Sequence, residues 1–239
     1  MKVILLLSLL VAFNCIKISS LTSGVKRVTT KSTTTTKEKP VKFDPRNLWN
    51  PRDRTHIVWK KPVIYIYPKE PMDVSIQLDI KDSKFTTVYP RFNGKHTWKV
   101  HAEPNGDLTI NNKKYPYLFW EAQSYKSQET NEGFLVTDEN AEAFLEEKLK
   151  ILGLNEKEQT DFITFWLPVL LRNKLSLCTF QNEKFFKNLE LNVTPKPDSL
   201  IRVFLTIKKL DEVVNVKEQK LKTVERTGYT VVEWGGSNF

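Results

Sequence analysis

Cysteine, histidine and glycine are all scarce in this chain of 239 residues, and each scarcity narrows what the protein can be. There are two cysteines, Cys15 and Cys178. Cys15 lies in a segment read below as a removable leader, so Cys178 stands alone in the mature chain and no disulfide framework can form. Stability must then come from a hydrophobic core, which about 195 residues can supply as one domain or two closely packed halves. Cys178 has apolar neighbours from Leu175 to Phe180, where a buried inert thiol and a reactive one are the two readings. The three histidines are His56, His96 and His101. His96 and His101 are five apart on one expected strand, an odd spacing that puts them on opposite faces and denies them a shared metal. With eight glycines, the chain has no Gly-rich phosphate loop and no Gly-x-Ser-x-Gly elbow, and it lacks any paired Cys/His metal signature. No metal and no cofactor is therefore expected.

Long apolar runs are missing too. The apolar stretch Val3 to Phe13 follows Lys2 and precedes small polar residues, the form of a secretory signal peptide over 1–20. At about a dozen residues it is shorter than the roughly 20 needed to span a bilayer, and no later segment qualifies. The chain is thus read as secreted, with no membrane span. Residues 21–42 are dominated by Thr, Ser and Lys, including Thr33 to Thr36, and read as a solvated linker open to O-glycosylation. Much of the formal charge of +9 resides outside the folded part: Lys2 and Lys17 leave with the leader, and the linker carries six basic residues against Glu38, so +2 remains from Phe43 onward. Basicity of that kind suits an acidic polysaccharide or an anionic surface and does not point to nucleic acid.

Residues 43–239 read as a single α+β domain with a core at 61–236: a β meander over 62–121, helices over 138–173 and a C-terminal β region over 175–235. Antiparallel β regions flank a central helical hairpin in this reading, as two sheets clasping it or as one sheet shared by both halves. Ala141, Phe144, Leu145, Leu149 and Leu152 recur at helical spacing, as do Phe162, Phe165, Trp166, Val169 and Leu170. Thr137 or Asp138 is placed to cap the first helix, which Gly153 ends with Leu154 folding back on Leu149. Asn155 and Glu158 make a capping box for the second, within which Pro168 predicts a kink or break. Apolar residues surround so much of this helix that it needs cover on more than one side.

Pro62 to Pro68 reads as an interior strand, preceded by an irregular lead-in over 43–61, and Val74 to Ile80 as a strand with one wet face. Asn93-Gly94 and Asn105-Gly106 mark tight turns among the strands Phe85 to Tyr89, Thr97 to Glu103, Asp107 to Ile110 and Lys114 to Trp120. Residues 121–132 form a polar loop. Strands resume at Leu175 to Phe180, Leu189 to Val193, Leu200 to Leu210, Glu212 to Val216 and Tyr229 to Trp234.

Two stretches nearly mirror one another: Tyr115-Pro-Tyr-Leu-Phe-Trp-Glu121 and Tyr229-Thr-Val-Val-Glu-Trp-Gly-Gly236. Glu121 and Glu233 each share a strand face with aromatic or apolar neighbours. A carboxyl so placed is pushed toward its neutral form, and two of them about 5 to 10 Å apart would make a glycosidase pair. The alternative is that each glutamate caps a strand end or pairs with a nearby cation. Tyr65, Tyr67, Tyr89, Trp98, Tyr115, Tyr117 and Trp120 lie on strands as core or as a sugar-stacking row, and Trp120, Trp234, Tyr67 and Tyr117 are the candidate ligand-binding residues. Asn192-Val-Thr194 is an N-glycosylation acceptor followed at once by Pro195.

Six ordered motifs resemble a family of uncharacterised proteins, mostly from anaerobic bacteria, in which KPVIYLYPE opens the domain and TVVEWGG closes it. Here they are Lys61-Pro-Val-Ile-Tyr-Ile-Tyr-Pro68, Tyr117-Leu-Phe-Trp-Glu121, Gly133-Phe-Leu-Val136, Trp166-Leu-Pro168, Pro197-Asp-Ser-Leu-Ile-Arg-Val-Phe204 and Val231-Val-Glu-Trp-Gly-Gly236. The resemblance implies one domain from about 61 to 236 and brings no activity with it. Lys69 stands where that pattern has an acid. The expectation is a non-catalytic binding or adhesion module for an extracellular polysaccharide, matrix or surface protein, with a two-glutamate glycoside hydrolase as the alternative.

Overall fold

The computed structural model describes residues 57–125 and 128–239. The leader, the linker and most of the lead-in, with Cys15, Trp49 and His56, lie outside the described residues. Thirteen strands and three helices follow in the order β1 (Ile57–Tyr67), β2 (Met72–Ile80), β3 (Ser83–Tyr89), β4 (Thr97–Ala102), β5 (Leu108–Ile110), β6 (Lys113–Tyr115), β7 (Leu118–Ser124), β8 (Glu132–Thr137), α1 (Ala141–Ile151), α2 (Glu156–Asn173), β9 (Leu175–Phe180), α3 (Glu183–Phe186), β10 (Leu189–Thr194), β11 (Ser199–Lys209), β12 (Lys217–Glu218) and β13 (Thr230–Asn238).

The strands make an eight-stranded sheet, β12-β8-β9-β11-β13-β1-β7-β3, and a five-stranded sheet, β10-β2-β4-β5-β6. This overturns the expected α+β fold centred on a helical hairpin: the protein is mostly β, and the large sheet is its middle layer. One face of that sheet carries α1 and α2 over Val63, Tyr65, Val203, Leu205, Val232 and Trp234. Its other face packs on the small sheet through Trp59, Ile64, Ile66, Trp120 and Val231 against Ile76, Leu78, Trp98 and Leu189. Composition misled because α2 is apolar in sequence yet buries one stripe, Phe162, Trp166, Val169 and Leu170, and leaves Leu171 43% exposed. One sheet beneath it and α1 beside it are enough.

The two β regions are interleaved. β1, from the N-terminal half, lies between β7 and β13, and β2 pairs with β10, so both halves contribute to both sheets. The first half is not a simple meander either, since β3 leaves β2 and joins β7. β11 runs parallel to β13. Residues expected as a strand from Glu212 to Val216 form a loop in which Val213 is 76% exposed, and the short strand begins at Lys217.

Local signals fared better. In β1, Val63 to Ile66 are buried on both faces, as an interior strand requires. Pro62 is tolerated there because the register shifts between Lys60 and Val63, where Lys61 takes φ +56°, so the missing N–H falls at a bulge. β1 begins at Ile57, within the lead-in expected to be irregular. β2 alternates as expected, with Val74, Ile76 and Leu78 buried.

Helix α1 ends at Gly153, φ +85°, with the Leu154 N–H on the Leu149 carbonyl and the Gly153 N–H on that of Lys150, both carbonyls otherwise left open at a helix end. The Asn155–Glu158 capping box is formed in both directions at 2.9 Å. Two helical expectations are corrected. The first helix is capped at Asn140, whose side chain turns back to the Thr137 N–H, while Asp138 pairs with Lys174. Pro168 does not break α2, because it sits on the exposed side, where water can satisfy the carbonyl of Thr164.

Candidate functional site

Glu233 lies in β13, beside Ile64, on the face turned toward the small sheet, and is 3% exposed. Its Oε2 meets Nε and Nη2 of Arg202, on the neighbouring β11, at 2.7 and 2.5 Å. Its Oε1 accepts from Nε1 of Trp120 at 3.2 Å. Arg202 reaches on to the Leu189 carbonyl at 2.7 Å and lies 4.3 Å over the Phe186 ring. Both lone-pair regions of the carboxylate are thus engaged, and the guanidinium ties the large sheet to β10 of the small one.

Glu121 lies in β7, where Leu118, Trp120, Ala122 and Ser124 are buried and the alternate positions face the other way. Trp120 points to Glu233, so Glu121 stands on the opposite face of the same sheet, where it accepts the Lys61 N–H at 3.2 Å. The structure therefore does not bring Glu121 and Glu233 into a common cleft. Trp120 and Trp234 are fully buried core residues, one under each layer.

Tyr67 and Tyr117 are brought together, on the face that carries the helices. There α1 and α2 cover β8, β9, β11, β13 and part of β1, and leave a ledge over β1, β7 and β3. Tyr117 meets Tyr65 edge-on at 5.6 Å, and Tyr65 lies parallel to Tyr67 at 6.3 Å. By register Tyr89 in β3 lies beside Phe119, and Phe119 beside Val63, so Tyr89, Phe119 and Tyr117 belong to one ledge. Tyr89 is 53% exposed and touches Tyr115 at the rim where the two sheets meet, at 5.7 Å.

Cations sit along the same line. Lys61 Nζ donates to the Tyr117 hydroxyl at 3.2 Å and lies 5.0 Å over that ring and 5.6 Å over Phe119. Lys113 donates to Tyr89 at 3.2 Å and lies over Tyr89 and Tyr115. Lys157 is 4.7 Å over Tyr65, and Arg226 is 5.2 Å over Tyr67 while forking onto the wholly buried Glu158 at 2.7 and 3.2 Å. Ring faces attract cations through their quadrupole, so the contacts of Lys61 and Lys113 hold a charge in place without cancelling it, whereas Arg226 is answered by Glu158 and Lys157 by Asp161.

Burial pushes the phenols of Tyr65 and Tyr67 well above their usual range, helped by Asp161 bonded at 2.8 Å to the first and by Glu158 beside the second. Burial pushes that of Tyr229 up to about 12. A group whose folded value exceeds its unfolded value supports the fold fully below the unfolded value. Above about pH 10 the unfolded chain sheds protons that the fold retains, so Tyr65 and Tyr229 should each weaken the fold by about 1.4 kcal/mol per pH unit. Denaturant titrations should therefore show stability falling from about pH 10 to 12, and a flat profile there would contradict the burial of these hydroxyls.

Cys178 is completely buried on β9, and burial raises its thiol far above the usual range, against a reactive role. His96 packs among Phe85 and Phe92, and exposed His101 meets Asp73 at 2.8 Å. No group of three or more metal-ligating side chains occurs among the described residues, and no helix there is long and apolar enough to cross a membrane. Asn192 is exposed on β10. A polar hollow of about 300 Å³ bordered by Glu129, Gln181, Lys217 and Gln219 lies elsewhere.

This chain is similar to an uncharacterised bacterial protein. The relative, from the anaerobe Butyrivibrio fibrisolvens and described as an uncharacterised protein in the bglA 3′ region, is 42% identical over 62 residues. The match takes in 26% of this chain and 64% of that relative. No protein-family model matches the chain, and no solved structure does. The relative's description names no activity, so the site must be read from its own geometry.

Sequence reasoning reached Tyr67 and Tyr117 and placed Tyr89 in the same candidate stacking row, but missed Phe119, Lys61, Lys113 and Lys157 as their companions. A signal for Phe119 was present, since Tyr117 and Phe119 alternate on one strand face. The lysines carried none, because their positions over the rings come from strands and a helix distant in sequence.

Proposed function

We propose that this protein is a secreted, non-catalytic binding module that recognises an extracellular polysaccharide on the tyrosine ledge. The observation that carries the reading is the line of partly exposed rings, Tyr89, Phe119, Tyr117 and Tyr67, on the strip of sheet that the helices leave open. Sugar rings present apolar C–H faces that pack on aromatic rings, with flanking polar groups fixing orientation. The leader-like N-terminus and the Thr-rich linker support export and display. Membership of the family bearing the KPVIYLYP and VVEWGG motifs over 61–236 belongs to this reading, as does glycosylation at exposed Asn192. Glutamates on opposite sheet faces lend no support to a two-carboxylate hydrolase.

The full chain should be retained on at least one member of a panel of insoluble and soluble polysaccharides. Tyr89→Ala combined with Tyr117→Ala should weaken that retention about tenfold or more, some 1.4 kcal/mol, in a protein that circular dichroism shows still folded. Retention that ignores the double substitution would remove the ledge from the reading, and no retention on any polysaccharide would remove the reading itself.

A further inference from the structure

We propose that the polysaccharide is acidic, and that Lys61 and Lys113 read its charge; this rests on the ledge being the binding surface. The two ammonium groups share an unusual setting. Each donates at 3.2 Å to the hydroxyl of a tyrosine, Tyr117 for Lys61 and Tyr89 for Lys113, and each lies within 6 Å of two ring centres. Neither has a carboxylate at ion-pair distance among the described residues, whereas Lys81, Lys114, Lys174, Lys184 and Lys217 are all matched with an acid. The carboxylates nearest the ledge are turned to other work: Glu121 accepts the Lys61 N–H, and Asp161 accepts the Tyr65 hydroxyl and lies 3.7 Å from Lys157.

A hydroxyl acceptor and a neighbouring ring fix an ammonium's position and leave its charge to attract a further anion. Lysine ordinarily gives up rotamer freedom when it binds, and here that loss has already been taken in folding. Tyr89 and Phe119 are register partners on adjacent strands, with Lys113 bonded to the first and Lys61 beside the second, so both ammonium groups border the same stretch of the ledge. Sugar faces would rest on Phe119 and Tyr117 while carboxylate or sulfate groups met Lys61 and Lys113. A neutral glycan would leave both charges unanswered.

The full chain, linker included, is titrated by affinity electrophoresis and calorimetry with polygalacturonate, a sulfated glycosaminoglycan, xylan, mannan and single-stranded DNA. Binding to an acidic glycan at least tenfold tighter than to either neutral one is expected, weakening as salt rises from about 0.05 to about 0.5 M. Lys61→Gln with Lys113→Gln should lower acidic-glycan affinity about tenfold or more, and Lys113→Gln alone, at a fully exposed side chain, should give part of that loss in an undisturbed fold. The linker's own basic residues remain in these variants, so undiminished binding would assign the attraction to the linker and overturn the proposal. Tighter binding to DNA than to any glycan would also overturn it. Retention on neutral glycans that needs Tyr89 and Tyr117 but ignores the lysines would defeat the charge assignment and leave the proposed function standing; no glycan binding at all would defeat both.

Discussion

Replacing Glu233 with glutamine should lower the unfolding free energy by about 3–5 kcal/mol, the usual consequence of leaving a buried charge without its partner. Arg202 would stay between the sheets, its side chain only 12% exposed, with a neutral amide where two of its nitrogens now meet one carboxylate oxygen. Trp120 would lose its charged acceptor as well. The compensated variant, Glu233→Leu with Arg202→Met, removes both charges and should recover most of the loss, because a buried pair contributes little beyond a well-packed apolar replacement. Urea unfolding of the three proteins decides this. A loss below about 1 kcal/mol in Glu233→Gln would mean that the pair is not buried as described. The same result bears on the two-glutamate hydrolase: activity lost in Glu233→Gln would first have to be separated from loss of the fold.

Gly236→Ala should be still less tolerated, and little soluble protein is expected from it. An added Cβ would stand 2.4 Å from the Leu205 carbonyl oxygen and 2.6 Å from the Trp166 ring. The first contact is backbone of the adjacent parallel strand, held by the Leu205–Gly236 register, and the second is a fully buried indole beneath α2. Neither can withdraw without separating β11 from β13 or lifting the helix, so we expect a cost above about 3 kcal/mol, at the upper end for overpacking. A soluble Gly236→Ala protein with an unchanged thermal midpoint would show that α2 does not press on the sheet here. The VVEWGG ending is then explained without catalysis: the glutamate anchors Arg202 between the sheets, and the last glycine gives Trp166 room to seat.

Much was legible wherever the cause was local. The capping box at Asn155, the stop at Gly153 and the wet and dry faces of β2 all follow from residues within a few positions of one another. The ring candidates were half resolved. Tyr67 and Tyr117 lie half-buried on one face, each against Tyr65, whereas Trp120 and Trp234 look identical in sequence pattern and are core. Alternation says which residues share a face but not which face another layer covers. The helical hairpin was misjudged for a related reason, since the number of apolar residues in α2 does not say how many of them the fold will hide.

The chain alone determined most of its elements, some of their ends and the limits set by scarce cysteine, histidine and glycine, because those follow from backbone geometry and short-range chemistry. Only the tertiary structure decided that β1 lies between β7 and β13, that Glu121 and Glu233 are divided by the sheet, and that Lys61 and Lys113 come to rest over tyrosines. The β1 pairings join residues about 50 to 180 positions apart, and they are chosen by which apolar faces can be buried together; no short window of sequence contains that choice.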